Sequence, residues 1–161
     1  MLSVGGRRFE WVPDVAADGL SLPRRQTALA AGYDLCAAEA VAIAPGALEL
    51  VPTGVRALIP AGEFLAIFPR SSLALRHRLV LANGVGVVDA DYYGNPDNGG
   101  HILIPLWNLG GEEALLARGT RVAQGIFMRC EAADGDAPAA ALRAGGFGST
   151  DAGITPGRAR A

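Results

Sequence analysis

Residues 41–68 read VAIAPGALELVPTGVRALIPAGEFLAIF, and this segment decides the fold class. Short apolar runs are separated by Pro45-Gly46 and by Pro60-Ala61-Gly62. Runs of apolar residues that end at Gly and Pro are typical of short strands joined by turns. In the run 53–59, Val, Ala and Ile alternate with other residues, as in a strand that presents one face to a core.

The same pattern extends in both directions from this segment. Further strands are predicted at 9–12, 101–108 and 121–130. The one plausible helix before residue 137 is 72–78, barely two turns long, with Ser71 or Ser72 as its predicted cap. Turn signals every 8–12 residues predict an all-β sandwich or barrel with one short helix.

Length and composition predict one domain followed by a tail. A chain of 161 residues matches a single domain of about 100–200 residues. Residues 137–161 are rich in Ala, Gly, Ser and Thr, so we expect a flexible C-terminal arm there and a single β-barrel domain over residues 1–136.

Charge and hydropathy exclude several classes of partner. The net charge is −2 and no basic stripe is present, which argues against duplex nucleic acid as a partner. No apolar run approaches the ~20 residues of a membrane span, and no signal peptide is visible. Cys36 and Cys130 stand alone in apolar settings and are interpreted as buried free thiols. A cytoplasmic protein is therefore expected.

Residues 84–95, GVGVVDADYYGN, carry the first candidate site. Asp89 and Asp91 share a face if the strand stays regular, and two carboxylates on an apolar hairpin need partners or a cation. The alternative is an ordinary turn, because Asp, Gly and Asn are common turn residues. These residues alone leave both interpretations open.

Three other segments carry polar groups suited to phosphate. Residues 69–74, PRSSLA, place a guanidinium and two hydroxyls at the start of the predicted helix, although a capped turn has the same composition. Gln124 lies among apolar residues, as a structural bridge or a ligand contact, and Asn83 invites the same two interpretations. Residues 143–150, RAGGFGST, could clamp phosphate or form a solvated linker.

Other catalytic classes lack their motifs. The two histidines have no second His or Cys at ligand spacing, which argues against zinc. The phosphate-binding loop GxxxxGK[ST] and the serine-hydrolase motif GxSxG are both absent from the sequence.

Taken together and in order, five motifs closely resemble the trimeric deoxyuridine triphosphate nucleotidohydrolases, the dUTPases. The motifs are AGYDL at 31–35, PRSSLA at 69–74, GVVDADYYG at 86–94, RVAQ at 121–124 and RAGGFGST at 143–150. The resemblance implies a distorted jelly-roll or β-clip barrel and a homotrimer with active sites shared between subunits. It also implies hydrolysis of dUTP to dUMP and pyrophosphate with Mg²⁺.

The resemblance implies a role for each matching residue. Asp89 would activate the attacking water, and Tyr92 would pack under the deoxyribose and exclude a ribose 2′-hydroxyl. Asp34 would support the Mg²⁺ water shell or the phosphate-binding motif, while Asp91 would be a structural acid. The implied substrate-binding residues are Arg70, Ser71, Ser72, Asn83, Gly84, Val88, Tyr92, Gln124, Arg143, Phe147, Gly148, Ser149 and Thr150.

The sequence also departs from the pattern of this family. Ser72 stands where many members have Gly, and residues 95–100 look like extra residues after the hairpin. The tail motif has one residue fewer between Arg143 and Phe147 than the commonest form, and Asp151 interrupts its end.

Two alternatives fit the same resemblance less well. A dCTP deaminase or bifunctional relative would carry a catalytic Glu on the strand after the hairpin, but residues 102–107 read ILIPLW. A non-catalytic trimeric regulatory protein would not need Asp89, Tyr92, Gln124 and Arg143.

Overall fold

The computed structural model describes residues 6–137, and within this range the chain forms antiparallel strands, one α-helix and one 3-10 helix. The strands of this range are β1 (Arg8–Trp11), β2 (Tyr33–Cys36), β3 (Val41–Ile43), β4 (Leu48–Pro52), β5 (Val55–Leu58), β6 (Glu63–Phe68), β7 (Leu79–Leu81), β8 (Gly86–Asp89), β9 (Leu103–Asn108), β10 (Ala114–Leu116) and β11 (Arg121–Arg129). The α-helix α1 is Ser71–His77, and the 3-10 helix is Ala90–Tyr92. The predicted all-β fold with one short helix is confirmed.

Strand pairing within the described range brings together segments that are far apart in the chain. The largest sheet has the order β2-β11-β6-β8, and a three-stranded sheet has the order β4-β9-β7. Two further pairs, β1-β5 and β10-β3, complete the pairing. Such crossovers between antiparallel sheets are typical of a jelly roll.

One hydrophobic cluster receives side chains from most of these strands. Leu35, Ile43, Val51, Leu65 and Val122 are fully buried within it. The apolar residues of β5 alternate as predicted, because Val55, Ala57 and the following Ile59 are all buried.

The predicted turns between the strands of residues 41–68 are present. Gly46 and Gly62 have φ values of 74° and 79°, a left-handed conformation that favours glycine. The N–H of Glu63 donates to the carbonyl of Pro60 at 3.2 Å and closes the second turn. These local signals explain why the strand boundaries in this segment could be read from the sequence.

The three-stranded sheet is apolar on both faces. Val51 and Ile104 face the core with exposed fractions of 0% and 1%. On the other face, Leu48 pairs with Trp107 in register, and Leu48, Leu50 and Trp107 are 52%, 45% and 44% exposed. An outward apolar face of this kind marks a candidate contact surface.

The two cysteines differ in their exposure to solvent. Cys36 is half-buried but Cys130 is exposed, so the prediction of a buried thiol is wrong for Cys130, which lies just past the end of β11.

The predicted arm at 137–161 lies outside the described residues apart from its first position. No helix in the described part of the chain is long and apolar enough to cross a membrane.

Candidate active site

The candidate phosphate cleft lies at one end of the four-stranded sheet. Asp34 on β2 pairs with Gln124 on β11, and Gln124 pairs in turn with Phe68 on β6. The chain then turns from β6 through Arg70 into α1. The resulting cleft has a volume of about 380 Å³. Its lining residues are Gln26, Ala30, Ala31, Gly32, Asp34, Arg70, Ser71, Ser72, Arg121 and Gln124.

Asp34 holds two guanidinium groups at this cleft. Its Oδ1 lies 3.2 Å from Nε of Arg70, and its Oδ2 lies 3.3 Å from Nη1 of Arg121. The Asp34 side chain is only 11% exposed, whereas those of Arg70 and Arg121 are 23% and 47% exposed. A guanidinium has five N–H donors in a planar fork, and these contacts use only part of them. The remaining donors suit the oxygens of a phosphate chain.

Gln124 is fixed on the floor of the cleft. Its Nε2 donates to the carbonyl of Pro69 at 3.1 Å, and the register of β11 against β2 shifts between Arg121 and Ala123. This irregularity buries Val122 and Ala123 in succession and leaves Gln124 half-buried, facing the cleft. The structural-bridge interpretation of Gln124 and its place in a binding cleft are thus compatible.

The start of α1 differs from the prediction. Arg70 is the N-cap residue, and no side chain of the described chain caps the helix there, so the predicted Ser71 or Ser72 cap is wrong. Both serines instead lie in the first turn and line the cleft. Both residues are therefore available at the cleft as candidate ligand contacts.

Asn83 and Gly84 lie in the turn that joins β7 to β8. These two strands belong to different sheets and do not pair with each other, so the hairpin predicted around residues 84–95 is wrong. The N–H of Gly84 donates to Leu81 at 3.0 Å, and Gly84 has φ +70°. Val85 and Val87, which follow this turn, are 45% and 59% exposed. This edge of the four-stranded sheet therefore presents apolar side chains beside an exposed amide.

Asp89 ends β8, and the regular strand does not continue to Asp91. The 3-10 helix begins immediately after Asp89, whose φ and ψ of −76° and 159° are still extended. The expectation that Asp89 and Asp91 share a strand face is therefore wrong, because the backbone changes from strand to helix between them. Val88 pairs with Leu65, Asp89 pairs with Phe64, and both Val88 and Asp89 are half-buried.

Tyr92 follows on the 3-10 helix and is 8% exposed. Its neighbour Tyr93 anchors the same turn to β1, because the hydroxyl of Tyr93 donates to Oε2 of Glu10 at 2.6 Å. The Arg56 guanidinium lies 4.6 Å from the centre of the Tyr93 ring. The hydrogen bonds from Tyr93 and then from Arg8 lower the pKa of Glu10, and the Glu10 contact raises the pKa of Tyr93.

Within one chain, Asp89 and the phosphate cleft lie apart. Asp89 faces Phe64 at one end of β6, and Gln124 faces Phe68 at the other end, on the opposite side of that strand. Ideal strand spacings place the Cα atoms of Asp89 and Gln124 about 16 Å apart. Asp89 and the phosphate cleft therefore do not meet within one chain.

Some site residues were missed by the sequence analysis, and others cannot be placed. Arg121 begins the RVAQ motif at 121–124 but was not predicted as a site residue. Gly32 was not singled out either, and its close approach to Gln124 depends on sheet pairing. Five predicted substrate contacts lie outside the described residues, namely Arg143, Phe147, Gly148, Ser149 and Thr150.

Comparison with known proteins identifies the family to which this chain belongs. The family model described as dUTPase matches residues 18–151. A deoxyuridine 5′-triphosphate nucleotidohydrolase of Lactococcus lactis is 48% identical over 147 residues, which cover 91% of this chain and 98% of that protein. The one from Sinorhizobium medicae is 44% identical over 158 residues, covering 89% and 94%.

Solved structures agree with these sequence comparisons. The crystal structure of dUTPase from Streptococcus mutans is 49% identical with a TM-score of 0.76, covering 79% of this chain and 98% of that one. The dUTPase from phage phi11 of S. aureus, at 20% identity and a TM-score of 0.66, covers 80% of this chain and 94% of that one and shares the fold. A structural Mg(II) ion is coordinated in that phage protein. This chain belongs to the dUTPase family.

Proposed function

We propose that this protein hydrolyses dUTP to dUMP and pyrophosphate. The observation that carries the proposal is the anion-binding cleft in which Arg70, Arg121 and Gln124 converge around Asp34. Its chemistry suits a phosphate chain, and the segment 83–92, which bears Asn83, Asp89 and Tyr92, supplies groups suited to a base, a water molecule and a sugar. The reaction would keep uracil out of DNA and supply dUMP for thymidylate synthesis.

The phosphate cleft would bind and neutralise the triphosphate. Arg70 supplies forked N–H donors, the Gln124 amide and the Ser71 and Ser72 hydroxyls add neutral hydrogen bonds, and Asp34 keeps Arg70 in place. Phosphoryl transfer depends mainly on positioning and charge neutralisation, so residues of this kind are sufficient on the protein side.

Asp89 would orient a water molecule and accept its proton as the water oxygen attacks the α-phosphorus. A bond forms between that oxygen and phosphorus, and the bond from phosphorus to the bridging oxygen breaks, so that pyrophosphate leaves with the electron pair. Asn83 and the backbone from Gly84 to Val88 would read uracil. Tyr92 would pack against the deoxyribose and leave no room for a 2′-hydroxyl.

When bound with the triphosphate, Mg²⁺ would supply neutralisation of the negative charge on the phosphate oxygens. No group of three His, Cys, Asp or Glu in residues 6–137 forms a candidate metal cage. We propose that the ion is held mainly by phosphate oxygens and water, which is the usual coordination of Mg²⁺ with nucleotides. Asp34 already contacts two arginines, so we favour its role in supporting the phosphate motif over a role in the Mg²⁺ water shell.

The active site would be completed in a homotrimer. Asp89 and Gln124 lie on opposite sides of β6 with their Cα atoms about 16 Å apart, which supports a site that takes Asp89 and the phosphate-binding residues from different subunits. The apolar outer face that bears Leu48, Leu50 and Trp107 offers a surface for a second copy. In closed symmetry, each cleft would face Asp89 of a neighbouring subunit.

The arm at 137–161 would close the site over bound dUTP. Arg143 would contact the γ-phosphate, Phe147 would cover the base, and Gly148, Ser149 and Thr150 would contact the phosphates. Closing segments of this kind exclude water and complete a catalytic site. Because the reaction acts on the nucleotide pool, we infer that the protein works in the cytoplasm.

A pyrophosphate-release assay with dUTP, dCTP, UTP and dTTP, each with and without Mg²⁺, tests this function. We expect rapid Mg²⁺-dependent release from dUTP and poor release from the other three. Ammonia release from dCTP would indicate a deaminase instead. Absence of turnover with every nucleotide, together with tight dUTP binding, would indicate a regulatory protein.

A further inference from the structure

The segment 95–100, which follows the 3-10 helix, packs back against Tyr92. The N–H of Asn95 donates to the carbonyl of Tyr92 at 3.1 Å. Gly100 has φ +86°, and a Cβ at this position would lie 2.7 Å from the Tyr92 carbonyl oxygen. The backbone of this segment therefore fits closely around the turn that carries Tyr92.

The same segment also fixes the phenol of Tyr92. The amide Nδ2 of Asn98 donates to the Tyr92 hydroxyl at 2.8 Å, and that hydroxyl donates to the carbonyl of His101 at 3.3 Å. Oδ1 of Asn98 accepts from the N–H of Gly100 at 3.0 Å, which orients the amide. Both partners of the Tyr92 hydroxyl thus come from residues 98–101.

We propose that Asn98 is a positioning residue for sugar discrimination, which acts by holding the Tyr92 ring where it excludes a ribose 2′-hydroxyl. The inference rests on the proposed function, in which Tyr92 packs against the deoxyribose. A ring held at its hydroxyl end cannot swing aside to admit a larger sugar. Without Asn98, the Tyr92 hydroxyl keeps only the longer contact to His101, and the ring gains freedom.

The test is a double-mutant cycle on the ratio of kcat/KM for dUTP to that for UTP. Asn98→Ala removes the donor, and Tyr92→Phe removes the hydroxyl but keeps the ring. We expect each change to lower the ratio about fivefold to tenfold, since a hydrogen bond contributes about 1 kcal/mol. The double variant should lower the ratio by less than the product of the two single effects, because both changes remove the Asn98–Tyr92 hydrogen bond. Most of the change should be a lower KM for UTP.

The matched control is Asp97→Ala in the same segment. Asp97 is exposed, and its hydrogen bond to Asn95 uses the backbone N–H that alanine keeps, so its ratio should match the wild type. A wild-type ratio in Asn98→Ala or in Tyr92→Phe, with dUTP still hydrolysed, would overturn the inference. If Asn98→Ala fails to fold, the ratio measured for Tyr92→Phe decides alone. Absence of dUTP turnover in the wild type would instead overturn the proposed function.

Discussion

Gly32 lies directly against Gln124 in the phosphate cleft. A Cβ at Gly32 would lie 2.6 Å from Oε1 and 3.1 Å from Cβ of Gln124. The amide of Gln124 therefore occupies its place only because residue 32 has no side chain. Gly32 contributes to the cleft because its lack of a side chain leaves space for the Gln124 amide.

Gly32→Ala should displace the Gln124 amide and weaken binding of the triphosphate. We expect the KM for dUTP to rise about tenfold, comparable to the loss of one good hydrogen bond to a charged group. Steady-state kinetics check this. Gly111→Ala is the matched control, because a Cβ there meets nothing within 4 Å. Equal KM values for Gly32→Ala and the wild type would contradict the expected dependence of triphosphate binding on the space that Gly32 leaves for Gln124.

Asp34→Asn should release the two arginines of the cleft. The neutral amide removes the charge that pairs with Arg70 and Arg121, so both guanidinium groups lose a fixed orientation. We expect the free energy of unfolding to fall by about 1–2 kcal/mol and the KM for dUTP to rise. Urea denaturation and kinetics measure the two effects. A variant that loses Mg²⁺ dependence but keeps its KM would point to the Mg²⁺ water shell instead.

Asp89→Asn should abolish turnover and preserve binding. The amide keeps the size of the carboxylate but cannot accept the proton of the attacking water, so we expect kcat to fall by at least about 10²-fold. Calorimetric titration with dUTP should still show binding close to that of the wild type. Wild-type kcat in this variant would refute the assignment of Asp89.

Stability should fall in mild acid because of His101. Burial lowers the pKa of His101 below its ordinary value of 6.5 and outweighs the opposite influence of Glu39. Its Nε2 accepts the N–H of Gly54 at 2.8 Å, a contact that only the neutral ring can make. The unfolded chain takes up the proton first, so this contribution is complete above about pH 6.5 and is lost as the pH falls through the lower folded value.

Melting temperatures between about pH 5 and 8 measure this effect. His101→Gln removes the titrating group, so its stability should depend less on pH over that range than that of the wild type. Parallel curves for the two proteins would show that His101 does not contribute.

The sequence predicted the strands of residues 41–68 well because their signals are local. Gly46 and Gly62 stand at turns that need a left-handed residue, and apolar alternation marks β5. The change from strand to 3-10 helix after Asp89 was not predicted, because no Gly or Pro marks it. The sequence also did not predict Arg70 as the N-cap residue of α1, because the two serines that follow it are better capping residues.

The site depends on contacts between distant parts of the chain, which motifs alone do not show. Asp34, Arg70 and Gln124 meet because β2, β11 and β6 are neighbours in one sheet. Arg121 joins them through an ion pair that spans the same pairing. The separation of Asp89 from this cleft follows from the register of β6 and could not be read from sequence order.

We expect each active site to combine the phosphate cleft of one subunit with Asp89 of another. The most direct test purifies mixed trimers that contain both an Arg70→Ala and an Asp89→Asn subunit, using two different affinity tags. Neither homotrimer should hydrolyse dUTP appreciably, whereas one site in each mixed trimer would have both groups intact. We expect about one third of the wild-type turnover. Mixed trimers as inactive as the two parents would contradict the shared site.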